Sequence, residues 1–190
     1  MRMMLPALSG AAVLVFALAL AAAAAAPADP VKVVMKTSKG EITLELYPAK
    51  APITVANFLS YVDAKYYDGL IFHRVDRTFM IQGGGHRPDM AQKVSKPPIK
   101  NESQNGLRNA RGAIAMARED ALDSATCQFF INTVDNFGLD RQNYCVFGKV
   151  VAGLDVVDAI AAVPVADKDG YDHVPLQPIV IISVRRVGAQ

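Results

Sequence analysis

The stretch Glu41-Ile42-Thr43-Leu44-Glu45-Leu46-Tyr47 decides the fold class of this 190-residue chain. Ile42, Leu44 and Leu46 alternate with Glu41, Thr43 and Glu45. A period of two puts the apolar side chains on one face of a strand and the polar ones on the other. Just upstream, Val31 to Thr37 is a second run rich in β-branched residues, and Ser38-Lys39-Gly40 between the two reads as a turn. Together they predict a β-hairpin with one buried face.

Downstream, Pro52-Ile53-Thr54 precedes Val55, Phe58, Leu59 and Val62, spaced i, i+3, i+4, i+7 as on one face of a helix. Thr54 is the expected N-cap, with Pro52 just ahead of it. Short apolar segments then recur between turn signals: Leu70 to Val75, Phe79 to Gln82, Gly112 to Ala117, Gln128 to Thr133 and Cys145 to Val151. A second helix is expected over Leu154 to Ala162, ending before Pro164, and a last strand over Ile179 to Val187. His86 to Gly106 is polar and reads as a long surface loop. Many short strands, two helices and no alternating β-α-β rhythm point to a mainly β fold, a closed antiparallel barrel with helical caps.

Composition narrows the partners. Hydrophobic residues make up 52% of the chain, and 20 Lys+Arg stand against 18 Asp+Glu, with no block of like charge. That suits a single domain and gives no support to nucleic-acid binding or a polybasic membrane patch. The first 28 residues stand apart: Arg2, an apolar run from Leu5 to Leu20, then the alanines Ala21 to Ala26 and Pro27-Ala28. This order predicts a secretory signal peptide over 1–28 and a mature domain over 29–190. An uncleaved membrane anchor is the alternative for a run of this length. Cleavage after Ala28 or Ala25 satisfies the small-residue rule. The export compartment permits a disulfide between Cys127 and Cys145, expected on neighbouring strands; two small buried hydrophobes are the other reading.

Several chemistries are disfavoured. Gly83-Gly84-Gly85 lacks the following Lys and Ser/Thr of a phosphate loop, and reads instead as a tight exit from a strand. His73, His86 and His173 lack metal-ligand spacing, and Asp135, Asn136 and Asp140 lack that of a calcium loop. No metal and no cofactor is expected.

Four segments carry a resemblance: Phe72-His73-Arg74-Val75, Phe79-Met80-Ile81-Gln82-Gly83-Gly84, Gln128-Phe129-Phe130-Ile131 and Val146-Phe147-Gly148-Lys149-Val150. With Gly112 to Ala117 between them, they resemble the cyclophilin signature in order and spacing, over about Val33 to Val184. Pro97 to Glu102 and Asn105-Gly106-Leu107 look most like bacterial exported members. The resemblance implies an eight-stranded antiparallel barrel closed by two α-helices, with the site in an outer groove. It implies a peptidyl-prolyl cis-trans isomerase acting on proline-containing unfolded or partly folded chains. It puts Arg74 in the catalytic position with Gln82 beside it. Phe79, Met80, Phe130 and Leu139 would line the proline pocket, Gln128 would add a polar contact, Ala117 and Arg118 would offer backbone, and Tyr144 would sit at the pocket edge. Of Phe129, Phe130 and Ile131, the alternation sends 129 and 131 inward and leaves 130 for the pocket. Gly138 stands where many members have tryptophan, which implies weak binding of cyclosporin. A periplasmic monomer without cofactor is the expectation; a proline-binding chaperone or docking module without turnover is the competing one.

Overall fold

A computed structural model describes residues 29–188; the expected signal peptide lies outside the described residues. In chain order the elements are β1 (Val31–Thr37), β2 (Gly40–Leu46), α1 (Pro52–Asp63), β3 (Ile71–Val75), β4 (Met80–His86), β5 (Ala113–Met116), β6 (Phe129–Asn132), α2 (Gly138–Arg141), β7 (Val146–Ala152), α3 (Leu154–Ala161), β8 (Val165–Lys168), β9 (Tyr171–Pro175) and β10 (Ile179–Arg186). Eight strands close into an antiparallel barrel in the order β1-β10-β3-β4-β6-β5-β7-β2. The hairpin pairs as read, Ile42 with Met35 and Leu44 with Val33. Ile42, Leu44 and Leu46 are fully buried in the core.

The barrel is filled, not hollow. Phe58 of α1 packs against Phe129 at 5.7 Å, edge to face, and against Phe147 at 5.3 Å. Such aromatic pairs contribute about 0.5–1.5 kcal/mol beyond their area. Val157 and Ile160 of α3 close the same core. Gly153 precedes α3 at φ 83°, and a Cβ there would collide with the Glu41 carbonyl, so only glycine lets α3 approach β2 this closely.

The structure corrects several expectations. Thr54 is not the N-cap: α1 starts at Pro52 after Ala51, which makes no side-chain cap, and Thr54 is buried in the first turn. The cap is Glu102, whose carboxylate accepts from the backbone N–H groups of Ile53 (3.1 Å) and Thr54 (2.8 Å). Gly83-Gly84-Gly85 does not leave the strand but lies inside β4, at a bulge where Ile71 pairs with His86 and Phe72 with Gly83. His86, expected in a surface loop, is buried at the end of β4. Cys127 and Cys145 are free and buried; they lie just ahead of β6 and β7, which are not neighbours because β5 runs between them. Beyond the two expected helices there is the single-turn α2, and the polar segment after Pro164 folds into a β8–β9 ribbon. That ribbon lies over β3, where the His86 ring nitrogen Nε2 and the Tyr171 hydroxyl are 3.1 Å apart and the His73 and His86 rings stack at 4.1 Å.

Candidate active site

One row of side chains organises the outer face of the barrel. Arg74 of β3 is the direct partner of Gln82 on β4, Gln82 of Phe130 on β6, Phe130 of Ala115 on β5, and Ala115 of Val146 on β7. Directly opposed residues point to the same face, with Cβ atoms about 4.5–5.5 Å apart. The adjacent row, Val75, Ile81, Ile131 and Ile114, points the other way and fills the core. The strand period thus sends a cation, an amide and an apolar floor to one outer surface. Phe129 and Ile131 are fully buried inside while Phe130 joins a separate cluster, as the alternation implied.

That cluster comprises Met80, Ala113, Ala115, Phe130, Leu139 and Val146, flanked by Phe79, Leu107, Ala117 and Tyr144. Tyr144 meets Phe130 edge to face at 5.8 Å. The Arg74 guanidinium lies 5.9 Å from the centre of the Phe79 ring, and no ion pair among the described residues includes it. Its charge is therefore available to a ligand. Next to the cluster is a groove of ≈ 370 Å³ lined by Gln82, Ala117, Arg118 and Gln128, with Gln92, Lys93, Ser95 and Cys127 among its other walls. Gln82 donates to Gln128 Oε1 at 3.0 Å, which fixes both amides. Gly85 makes room for this pair: a Cβ there would lie 2.6 Å from Gln128 Cγ and push its side chain aside.

All ten sequence-predicted residues therefore fall on the apolar cluster, on the groove or at their junction. Two details differ from expectation. The Ala117 N–H is already donated to the Gln128 carbonyl at 3.0 Å, so this residue can present only its carbonyl to a substrate chain. Arg118 acts through its side chain as a strut: its guanidinium donates to the Glu119 carbonyl at 2.7 Å and stacks 4.8 Å from the Tyr144 ring. Leu107, Ala113, Ala115 and Val146 were not foreseen as pocket residues. The signal for three of them was present, since Ala113 and Ala115 alternate with Ile114, and Val146 with Phe147.

Electrostatically the site is quiet. His73, next to Arg74 in β3, is buried on the opposite side of the strand, and its ring pKa is lowered to about 3 by burial first, then by His86 and Arg74. It is neutral near physiological pH. Among the described residues no cluster of His, Cys, Asp or Glu can hold a metal ion. The arrangement offers a fixed cation, two oriented amides and a dry apolar notch. That set can bind and polarise a ligand; it contains no nucleophile positioned to attack one.

Residues 32–186 match the family model described as cyclophilin type peptidyl-prolyl cis-trans isomerase/CLD. A peptidyl-prolyl cis-trans isomerase of Acinetobacter baylyi is 54% identical over 157 residues, 80% of this chain and 84% of that protein. A peptidyl-prolyl cis-trans isomerase A of Dickeya dadantii is 48% identical over 179 residues, 92% of this chain and 94% of that one. Among solved structures, a cyclophilin type peptidyl-prolyl cis-trans isomerase of Cryptosporidium parvum superposes with TM-score 0.75 at 26% identity, covering 85% of this chain and 99% of its own.

Proposed function

The chain belongs to the cyclophilin-type peptidyl-prolyl cis-trans isomerases, and from that premise we propose that Arg74, with Gln82, drives rotation of an X-Pro amide whose proline ring sits on Met80, Phe130 and Leu139. The observation that carries this reading is the cross-strand row, in which Arg74 and Gln82 are neighbours at one end and Phe130 begins the apolar floor.

The chemistry follows from the amide. Delocalisation of the nitrogen lone pair into the carbonyl gives a rotational barrier of about 18–20 kcal/mol. Before proline the uncatalysed exchange takes tens to hundreds of seconds. Shortening ~100 s to ~1 ms requires roughly 7 kcal/mol. No bond breaks, so neither nucleophile nor metal is needed. At the transition state the nitrogen is pyramidal and its lone pair can accept a hydrogen bond. Guanidinium is a permanent donor near neutral pH. Donating to the twisted amide more strongly than to the planar one raises turnover and not merely affinity. The planar amide is also the more dipolar form, so the apolar surface of Phe79, Met80, Phe130 and Leu139 favours the twist while it holds the ring. Gln82, already pinned by Gln128, keeps a carbonyl oxygen to orient Arg74 or a side-chain amide edge to meet the substrate.

The enzyme is exported and works on proline-containing chains outside the cytoplasm as a monomer. The apolar and alanine-rich composition of residues 1–28 supports the export reading. No helix of the described residues is long and apolar enough to cross a membrane. The decisive experiment compares wild type with Arg74→Ala in a protease-coupled cis/trans assay. We expect kcat/KM to fall by about 10²–10³, the effect of removing one preorganised donor. A loss under about threefold in a folded variant overturns the role of Arg74 on the same scale.

A further inference from the structure

Beneath the proline pocket runs a chain of side-chain amides that the reaction does not use. Asn136 Nδ2 donates to Asn132 Oδ1 at 2.7 Å, Asn132 Nδ2 to Asn109 Oδ1 at 3.2 Å, and Asn109 Nδ2 to Asp140 Oδ1 at 2.9 Å. Asn109 and Asn132 are completely buried. Every amide donates in the same direction and the chain ends on a carboxylate. Turning any one of them over would set donor against donor and carbonyl against carbonyl, so the direction is fixed. Burial alone raises the Asp140 carboxyl pKa, but hydrogen bonds from Asn109 and the Arg108 guanidinium bring it below the ordinary value. The terminal charge is thereby kept.

The groups this chain grips are walls of the pocket. Asn136 Nδ2 also donates to the Phe79 carbonyl at 2.7 Å. Asn109 Nδ2 also reaches the Tyr144 carbonyl at 3.3 Å. Asp140 follows Leu139 in the single turn of α2. Phe79, Leu139 and Tyr144 all come from outside the strands of the barrel, so the ladder that fixes Arg74, Gln82 and Phe130 does not fix them.

We propose that Asn136, Asn132 and Asn109, anchored on Asp140, are positioning residues that set the width of the proline pocket by holding Phe79 against Leu139 and Tyr144. None of the three asparagines belongs to the apolar cluster itself. Breaking the chain lets the two walls from outside the barrel strands part while Arg74 keeps its place, so substrate grip falls far more than the rate of rotation. This rests on the assignment of Phe79, Met80, Phe130 and Leu139 as the proline pocket.

The test measures kcat and KM separately for an X-Pro peptide in full-length folded protein. Asn132→Leu is nearly isosteric and removes both central hydrogen bonds; we expect KM to rise by about 5–20-fold with kcat changed less than about twofold, the signature of lost binding that ground and transition states share. Asn136→Ala, at the half-exposed end, should raise KM by about threefold or more, and the double variant should add little to Asn132→Leu, as expected for members of one network. A general loss of structure would instead lower kcat and melting temperature together. Should Asn132→Leu fail to fold, Asn136→Ala decides alone. Phe130→Ala separates the two readings. If it raises KM and the asparagine variants leave KM unchanged, the relay is overturned and the pocket stands. If Phe130→Ala itself leaves KM unchanged, the pocket falls and the relay with it.

Discussion

Glu102 caps α1 from 48 residues away: its Oε2 accepts both the backbone N–H and the hydroxyl of Thr54, each at 2.8 Å. The first N–H groups of a helix have no partner inside it, and the helix dipole favours an anion there. Glu102→Ala should therefore cost about 1–2 kcal/mol, a drop in melting temperature of about 2–8 °C for a domain of this size. Because α1 packs inside the barrel, Phe58 against Phe129, while Phe130 belongs to the separate outer cluster, kcat/KM at 25 °C should stay near wild type. Unchanged melting would show that Ile53 and Thr54 are satisfied another way.

The rate should be insensitive to pH. The donor at the site is a guanidinium; Gln82, Gln128, Phe79, Met80 and Phe130 do not titrate, and the titratable groups that feel Arg74, His73 and Asp76, both have their pKa values lowered, away from neutrality. We expect kcat/KM constant within about twofold between about pH 6 and about pH 9. A bell-shaped profile over that range would mean that a titrating group takes part in the rotation.

Stability should depend on acid where activity does not. His73 titrates near 3 in the fold against an ordinary value of 6.5, because burial, His86 and Arg74 all oppose its charge. Its folded pKa is depressed, so the unfolded chain binds more protons between those values. Folding free energy then declines as pH drops from about 6.5 towards about 3, by about 1.4 kcal/mol per pH unit for this group. Burial lowers the pKa of His86 as well, which adds in the same direction. Urea unfolding at several pH values checks this, and His73→Phe should flatten the slope between about pH 4.5 and about pH 6.5. An equally steep slope in that variant assigns the effect elsewhere.

Cyclosporin should inhibit weakly. Gly138, where the cyclophilin resemblance leads one to expect tryptophan, starts α2, and nothing lies within 4 Å of where its Cβ would be. The neighbouring Phe137 is committed elsewhere, its ring stacked 3.8 Å from the Arg108 guanidinium. Submicromolar inhibition of the purified protein would contradict this, and Gly138→Trp should tighten binding.

Both thiols should persist in an oxidising buffer. The Cys145 sulfur is 3.6 Å from the Thr54 hydroxyl, the Cys127 sulfur accepts from the Tyr66 hydroxyl at 3.5 Å, and burial raises the pKa of the Cys145 thiol. Two free thiols per chain should be titratable after denaturation, with Cys145 slow to react before it. Recovery of a disulfide from native protein would be the contrary result.

The barrel was legible because its signal is local. The hairpin announces itself by alternation and the other barrel strands by short apolar runs between turn signals, and every barrel strand falls within a few residues of its expected run. What alternation cannot carry is a partner distant in sequence. Thr54 reads as a cap because it precedes an apolar face; the carboxylate that actually satisfies the helix belongs to Glu102. The β8–β9 ribbon stayed hidden because Val165 to Lys168 and Tyr171 to His173 are mostly exposed and give no apolar face to read. The glycines of β4 read as a tight exit from the strand, although their use is to let neighbours lie close against it: Phe72 at Gly83, Phe129 at Gly84 and Gln128 at Gly85. At the site, the motif residues were legible through resemblance. Alternation marks Ala113, Ala115 and Val146 as outward-facing, but that they share one floor emerges only once strands β5 and β7 are paired. The amide chain from Asn136 to Asp140 joins residues up to 31 positions apart, and no linear spacing rule anticipates it.

Closure of the barrel matters for a peptidyl-prolyl isomerase, whose substrates are peptide chains. Because β1 pairs with both β2 and β10, the eight strands leave no unpaired backbone at a sheet margin. An extended peptide therefore finds no open edge on the barrel to zip onto, and strand addition there cannot seed a shared aggregate.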